Sequence, residues 1–253
     1  MADRAGAGSG GQTPVPVDAT HYQDVAAAGG LVAALGKAAD EQGFAIGPIA
    51  PPGHLDELIR AWAVTNRGTF LVSADSTTKR VFRISIWAPG VELGSGACGN
   101  LNDVAAAVHG WSSGKPVQEM VETWPFIEFE PLAEAHLSGH AVATAWRLML
   151  EKHPRVQLAD AELTAAAHAQ PRLRQLFPIA SHGWFHFSRC TRDPFSNDLP
   201  MVGPVDGGWR VYGADAGTIG DVATAAEAAA LVVAHLPHDI GPAVEGQLPP
   251  SQP

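Results

Sequence analysis

Two segments in which apolar and polar side chains alternate constrain the fold more than any other feature. In residues 81–87, Phe82, Ile84 and Ile86 alternate with Arg83, Ser85 and Trp87. Residues 182–190 repeat the pattern, with Phe185 and Phe187 on one side and His182, Trp184, His186, Ser188 and Cys190 on the other. A period of two is typical of a strand with one buried face. Because segments with helical periodicity lie between the strands, we expect an α+β fold of antiparallel strands with helices packed to one side.

The remaining elements are short and are separated by glycine and proline. Helical spacing predicts helices over 23–42, 54–64, 101–111, 131–153, 160–176 and 225–236, with a break at Gln170-Pro171. Thr224 and Glu227 have the spacing of a capping box for the last helix. Further strands are expected at 44–46, 69–74, 91–93 and 209–213.

The ends and the two halves of the chain differ in composition. Residues 1–20 and 242–253 are rich in glycine, proline and polar residues, so we expect disordered tails. Between them we expect an N-terminal α+β half over 21–158 and a C-terminal α+β half over 159–241. Residues 99–105 and 217–223 align without gaps, which indicates either two related α-β-β-(β)-α units or a coincidence in a chain rich in alanine and glycine.

Charge and hydropathy exclude several classes of protein. The net charge is −10, and nucleic acid is an unfavourable partner for a chain without a basic surface. No apolar run approaches the roughly 18 residues that a membrane span requires. The N-terminal residues contain no hydrophobic signal region, and only two cysteines are present, so we expect a cytoplasmic protein that does not interact with membranes.

We expect neither a cofactor nor a metal. Residues 94–99 match G-x-G-x-x-G, but they follow strands that we expect to be antiparallel, so a plain glycine turn is the better interpretation. His182 and His186 share one face of a strand, where four residues separate them by about 13 Å. That distance is too long for two ligands of one zinc ion.

The segment from His182 to Asp193 is the best candidate for a functional site. Its aromatic and polar face indicates either a binding groove with acid–base groups or an ordinary amphipathic strand. As catalytic groups we expect His182 and His186 to exchange protons and Arg189 to hold an anionic group. The expected substrate-binding residues are Arg83, Trp87, Trp184, Cys190, Arg192 and Asp193, and Cys190 is also a candidate nucleophile.

Several runs resemble a bacterial family of natural-product biosynthesis proteins of unknown function. The resemblance is strongest at 171–178, 181–191, 224–237 and 241–244, and it is looser at 91–93, 104–105, Trp111 and 124–126. It covers most of residues 80–246 and carries no catalytic residues. It implies a biosynthetic setting, for example one that makes ribosomal peptides.

The sequence therefore leaves two main functions open. The first is a tailoring protein of a peptide natural-product pathway that binds a peptide or small intermediate and catalyses cofactor-free cyclisation or elimination by acid–base chemistry. The second is a non-catalytic adaptor or chaperone that presents a precursor peptide to a partner enzyme. A toxin-neutralising or structural protein with a basic protein partner is a third alternative.

Overall fold

A computed structural model describes residues 20–50, 59–74, 78–157 and 159–248. The described residues form helices and two antiparallel sheets, which confirms the α+β class. The helices are α1 (Gln23–Ala28), α2 (Leu31–Glu41), α3 (Leu101–Ser112), α4 (Val117–Thr123), α5 (Ala133–Ser138), α6 (Ala141–Leu150), α7 (Ala161–Ala169), α8 (Pro171–Arg174) and α9 (Ala225–Ala234). The predicted N-terminal tail, residues 1–20, lies outside the described residues except for Thr20.

The strands form one sheet of six and one of five. The order in the first sheet is β1 (Ile49–Ala50), β2 (Arg60–Thr65), β3 (Gly68–Ser73), β4 (Phe82–Ala88), β5 (Val91–Cys98) and β6 (Ile127–Phe129). The order in the second is β11 (Thr218–Val222), β10 (Gly208–Tyr212), β9 (Met201–Val205), β8 (Trp184–Ser188) and β7 (Phe177–Ser181). Both are meanders, because neighbours in each sheet are consecutive in the chain.

The chain divides into two compact units. The first comprises Met1–Ser85 and Gly96–Ile127, and the second comprises Ile86–Ser95 and Glu128–Pro253. The boundaries therefore fall within β4 and β5 and just inside β6, at other positions than the expected division between residues 158 and 159.

In the first unit, residues 60–65 form a strand where the sequence predicted part of a helix. We expected a helix over 54–64, but Arg60–Thr65 is strand β2, which pairs with β3 in register from Arg60–Ser73 to Thr65–Gly68. Ala61 and Ala63 are buried while Trp62 and Val64 are exposed, so the segment also has the period of a strand. Pairing with β3 satisfies its backbone groups and selects the strand. The rest of that prediction, residues 54–58, lies outside the described residues, and no strand forms at 44–46.

The glycines of the G-x-G-x-x-G match belong to strand β5 and its end. A Cβ atom on Gly94 would lie 2.7 Å from the backbone oxygen of Glu128. A Cβ atom on Gly96 would lie 2.3 Å from the backbone oxygen of Phe126. Only glycine permits so close an approach of the neighbouring chain. The motif is therefore explained by strand packing.

In the second unit, one face of the five-stranded sheet packs against helices. Phe185, Phe187, Val202 and Val211 are buried in one cluster with side chains of α6, α7 and α9. The predicted helix 131–153 is two helices, because Gly139 adopts a φ of +76° and ends α5. The break near Pro171 and the capping box of Thr224 and Glu227 are confirmed.

Two other segments differ from the sequence-based expectation. The aligned segments 99–105 and 217–223 have different conformations, since α3 begins at Leu101 whereas Thr218–Val222 is strand β11. Residues 242–248, expected to be a disordered tail, lie along the second unit instead. Val244 forms a bridge with Cys190, and Glu245 accepts hydrogen bonds from the Ala141 N–H and the Thr191 hydroxyl.

Candidate functional site

Strand β8 places Trp184 and His186 on the face of the sheet opposite the core. Phe185 and Phe187 are buried, whereas Trp184 and His186 are half-buried, as the alternation predicts. The Trp184 ring lies 5.0 Å from that of Tyr212 and covers Gly203, where a Cβ atom would come within 2.7 Å of it. The structure therefore contains the part of the predicted aromatic and polar surface that Trp184 and His186 form.

His182 does not share that surface. It and Gly183 form the two-residue turn between β7 and β8, with φ values of +51° and +84°. Positive φ at both positions is typical of the type I′ turn of a tight hairpin. The exposed His182 ring lies 2.9 Å from the Ser181 hydroxyl through its Nδ1. His182 is thus a turn residue outside the strand.

Arg189 and Cys190 have local structural partners. The Arg189 guanidinium pairs with Asp198 at 2.8 Å. Cys190 is fully buried, and its thiol lies 3.4 Å from the Arg192 carbonyl. Burial of this kind removes the accessibility that a nucleophilic thiol requires.

Arg192 and Asp193 also form hydrogen bonds that connect distant segments of the chain. Arg192 donates from Nη2 to the His136 carbonyl at 2.6 Å. The Asp193 N–H donates to the Gly90 carbonyl at 2.9 Å. Arg83 and Trp87 lie on β4 of the six-stranded sheet, where Arg83 belongs to the first unit and Trp87 to the second. The structure therefore brings Trp184 and His186 together on one sheet face and distributes the other predicted residues elsewhere.

A cavity of about 420 Å³ adjoins His186, and we call it the His186 cavity. Its lining includes Ile179, Ser181, His186, Phe195, Ser196, Asn197 and Met201. Burial lowers the pKa of His186 below its usual range. The imidazole is therefore uncharged at neutral pH and is able to accept a proton.

A second cavity, of about 300 Å³, lies along strand β7, and we call it the edge cavity. It shares Ile179 and Phe195 with the His186 cavity. Its other lining residues include Glu92, Glu130, Leu132, His136, Ala145, Met149, Arg155, Val156, Gln157, Phe177, Pro178, Ala180 and Thr191. The Phe177 and Phe195 rings are stacked at 5.8 Å. Apolar walls with a few polar groups are typical of a ligand pocket.

His136, which lies within the predicted helix 131–153, lines this cavity. It is only 6% exposed, and its Nδ1 has no hydrogen-bond partner among the described residues. Burial, followed by the charge of Arg192, lowers the pKa of His136 to about 4. A buried polar atom without a partner costs free energy, so it marks a place where a ligand or water can bind. No spacing in the sequence identifies His136, because Arg192 reaches it from 56 residues away.

The charged groups of the edge cavity are unevenly paired. Arg155 donates to Glu130 at 3.0 Å and to the Phe129 carbonyl at 3.1 Å, and lies 4.0 Å from Glu128. Glu92 is half-buried, and within the described ranges it has no hydrogen bond or ion pair. The cavity thus contains one carboxylate that has no partner in the described part of the chain.

Strand β7 is an edge of the five-stranded sheet, and its backbone lines the edge cavity. The turn makes Ser181 and Trp184 the closing hydrogen-bonded pair of the hairpin, so Ala180 and Pro178 direct their backbone groups away from β8. The Gln157 amide occupies part of this edge. In the orientation that satisfies both atoms, it donates to the Ala180 carbonyl at 3.2 Å and accepts from the His182 N–H at 3.0 Å.

The adjacent backbone groups of the same edge remain available for hydrogen bonds. The Ala180 N–H and the Pro178 carbonyl have no partner beyond the sheet in the described part of the chain. Trp146 donates from Nε1 to the next outward carbonyl, that of Leu176, at 3.0 Å. Within the described ranges, hydrogen bonds from Gln157 and Trp146 therefore cap the edge on both sides of this free pair.

The described ranges contain no group of three or more histidine, cysteine, aspartate or glutamate side chains arranged to hold a metal ion. In those same ranges, no helix is both long enough and apolar enough to cross a membrane.

Part of the chain is similar to a family of known sequences. Residues 140–247 match a family of unknown function (DUF6193). The matched region contains α6 to α9 and strands β7 to β11, whereas Glu92, Glu130 and His136 precede it. No curated protein and no solved structure matches the chain. Over residues 140–247 the chain is therefore similar to a family whose function is not known.

Proposed function

We propose that the second unit is a non-catalytic module that binds a peptide along strand β7 and presents it to a partner enzyme. The peptide adds to the sheet edge, and one of its side chains enters the edge cavity. The resemblance to natural-product biosynthesis proteins suggests a precursor peptide of such a pathway as the ligand.

The free backbone pair of β7 carries this proposal. In a parallel pairing, one residue of an added strand donates to the carbonyl of residue i and accepts from the N–H of residue i+2. Pro178 and Ala180 offer this pair, and they line a cavity for the side chain. Gln157 occupies the Ala180 carbonyl, which an antiparallel strand would need. We therefore expect a short segment of the peptide to pair with β7 in the parallel orientation. Strand addition of this kind gains affinity from main-chain hydrogen bonds and specificity from pockets.

The state of the candidate catalytic groups favours binding over catalysis. Arg189 is paired with Asp198, Cys190 is fully buried, and His182 lies in a turn. None of these is within hydrogen-bonding distance of His186 in the described contacts. Adaptor function requires no such constellation.

The test is a selection of randomised peptides on the full chain, followed by an N-methylation scan of the best binder. We expect methylation of a single peptide N–H to weaken binding by between about twofold and tenfold, because one hydrogen bond to Pro178 is lost. Methylation at the positions on either side should have little effect. If every position tolerates methylation, or if no peptide is enriched, strand addition is wrong.

A second candidate function is acid–base catalysis in the His186 cavity, such as cofactor-free cyclisation or elimination. The observation that favours it is the half-buried, uncharged imidazole of His186, which is suited to a general base. Intact-mass analysis with thiol alkylation and fragmentation would detect conversion of the precursor by the protein alone. Loss of turnover in His186→Ala, with peptide binding unchanged, would establish catalysis, whereas unchanged turnover would exclude His186 as the base.

A further inference from the structure

We infer that the edge cavity selects ligands in which an apolar group carries a positive charge, such as a lysine or arginine side chain or an arylalkylamine. The inference rests on the proposed binding function and names the chemical class that the cavity accepts. The cation pairs with Glu92, while the apolar part lies against the walls.

The size and walls of the cavity set the apolar part of the ligand. A volume of about 300 Å³ is at the small end of ligand pockets, so one side chain or a fragment of similar size fits. Phe177, Phe195 and Met149 supply aromatic and thioether surface. The aliphatic stem of a lysine or arginine, or an aromatic ring, buries apolar area against such walls.

The charges of the cavity determine the sign of the charge that the ligand carries. Arg155 is neutralised by Glu130, with Glu128 nearby, so it does not attract an anion. His136 is uncharged at neutral pH, so it does not neutralise Glu92. Among the residues that line the cavity, the half-buried Glu92 carboxylate is then the remaining charge. A carboxylate that is partly removed from water gains more from a cation than an exposed one does.

Arg192 lies beside His136, one of the lining residues, and a cation avoids this part of the cavity. It donates to the His136 carbonyl, and its own Nε is buried with no hydrogen-bond partner among the described residues. A cation beside it would be repelled. A neutral amide or hydroxyl group of the ligand is suited to His136 Nδ1, and the charged amine belongs at Glu92.

Three fragments of nearly equal shape test the inference on the full chain: phenethylamine, 2-phenylethanol and 3-phenylpropanoate. Methyl-¹³C methionine provides the readout, because Met149 lines the edge cavity and Met201 lines the His186 cavity. We expect phenethylamine to shift the Met149 signal and to bind roughly tenfold more tightly than 2-phenylethanol, since a hydrogen bond to a charged group is the stronger kind. The carboxylate should bind most weakly.

Glu92→Gln should abolish the preference for the amine and leave the alcohol unaffected. Glu162→Gln is the matched control, because it removes the same charge from an exposed position of α7 that does not line the cavity. Equal binding of amine and alcohol, or an unchanged preference in Glu92→Gln, would overturn the charge selection while leaving peptide binding to β7 intact. If none of the three fragments shifts Met149, cavity binding fails as well, and the peptide selection then tests the β7 edge independently.

Discussion

The two cavities of the second unit share Ile179 and Phe195 but differ in how their polar groups are used. The His186 cavity lies on the sheet face that the sequence pattern identifies, and its histidine is half-buried. The edge cavity lies on the side of β7 and contains a buried histidine nitrogen, a carboxylate and a backbone pair that have no partners among the described residues. Unsatisfied polar groups beside a mostly apolar cavity are the stronger indication of a ligand. The comparison therefore favours the edge cavity as the binding site.

The largest expected effect comes from filling each cavity in turn. Val156→Trp places an indole in the edge cavity, and we expect it to abolish peptide binding because the ligand side chain loses its space. Asn197→Trp does the same in the His186 cavity and should leave binding unchanged. Fluorescence anisotropy with a selected peptide measures both affinities, and circular dichroism verifies folding. The reverse outcome would move the binding site to the His186 cavity.

The next largest effect is expected in the pH dependence of stability, which should distinguish His136 from His186. The unfolded chain protonates His136 near pH 6.5, whereas the folded protein does so only at about pH 4. Stability attributable to His136 is therefore fully present above pH 6.5 and is lost as the pH falls towards 4. The loss reaches roughly 3 kcal/mol at the low end, from 2.303RT per unit of pKa difference. His136→Gln should remove this contribution.

Urea unfolding at a series of pH values measures this contribution as the difference between the wild type and the variant, so that other titrating groups cancel. His186→Gln should change the same curve in the same direction but less, because His186 is only half-buried. Identical pH curves for His136→Gln and the wild type would show that the His136 imidazole is not desolvated, and would weaken the case for the edge cavity.

The sequence pattern predicts the strand that contains His186 but not the edge that lies beside it. Alternation in 184–188 is a local property, and both phenylalanines are buried as expected. No strand was predicted at Phe177–Ser181, which follows the predicted helix 160–176, although a proline within an apolar run is a known signal of an edge strand. His136 could not be found from sequence, because its neighbours Phe177 and Arg192 lie far from it along the chain.

The same reasoning explains the errors in the first unit and at the chain's end. Residues 60–65 fit a helical and a strand period equally well, and only pairing with β3 decides between them. Residues 242–248 have the composition of a tail, yet the Glu245 carboxylate binds the N-terminal N–H of α6 and the Thr191 hydroxyl. Local periodicity determined the predicted fold class, whereas long-range contacts determine the site.

The smallest expected effect distinguishes the mode of peptide binding. Gln157→Ala removes two hydrogen bonds between an exposed side chain and the β7 edge, so we expect a loss of about 1 kcal/mol or less in the free energy of unfolding. The Ala180 carbonyl and the His182 N–H become free in the variant. A parallel strand can then continue along the edge by one more residue pair.

Peptides selected on the wild type and extended by two residues at the C-terminus should therefore bind Gln157→Ala more tightly than they bind the wild type. The unextended peptide should bind both proteins alike, which makes it the internal control. Equal affinity of the extended peptide for both proteins would mean that the peptide does not follow the β7 backbone. Weaker binding to the variant would mean that Gln157 itself contacts the ligand, and the edge cavity would then act through its side chains alone.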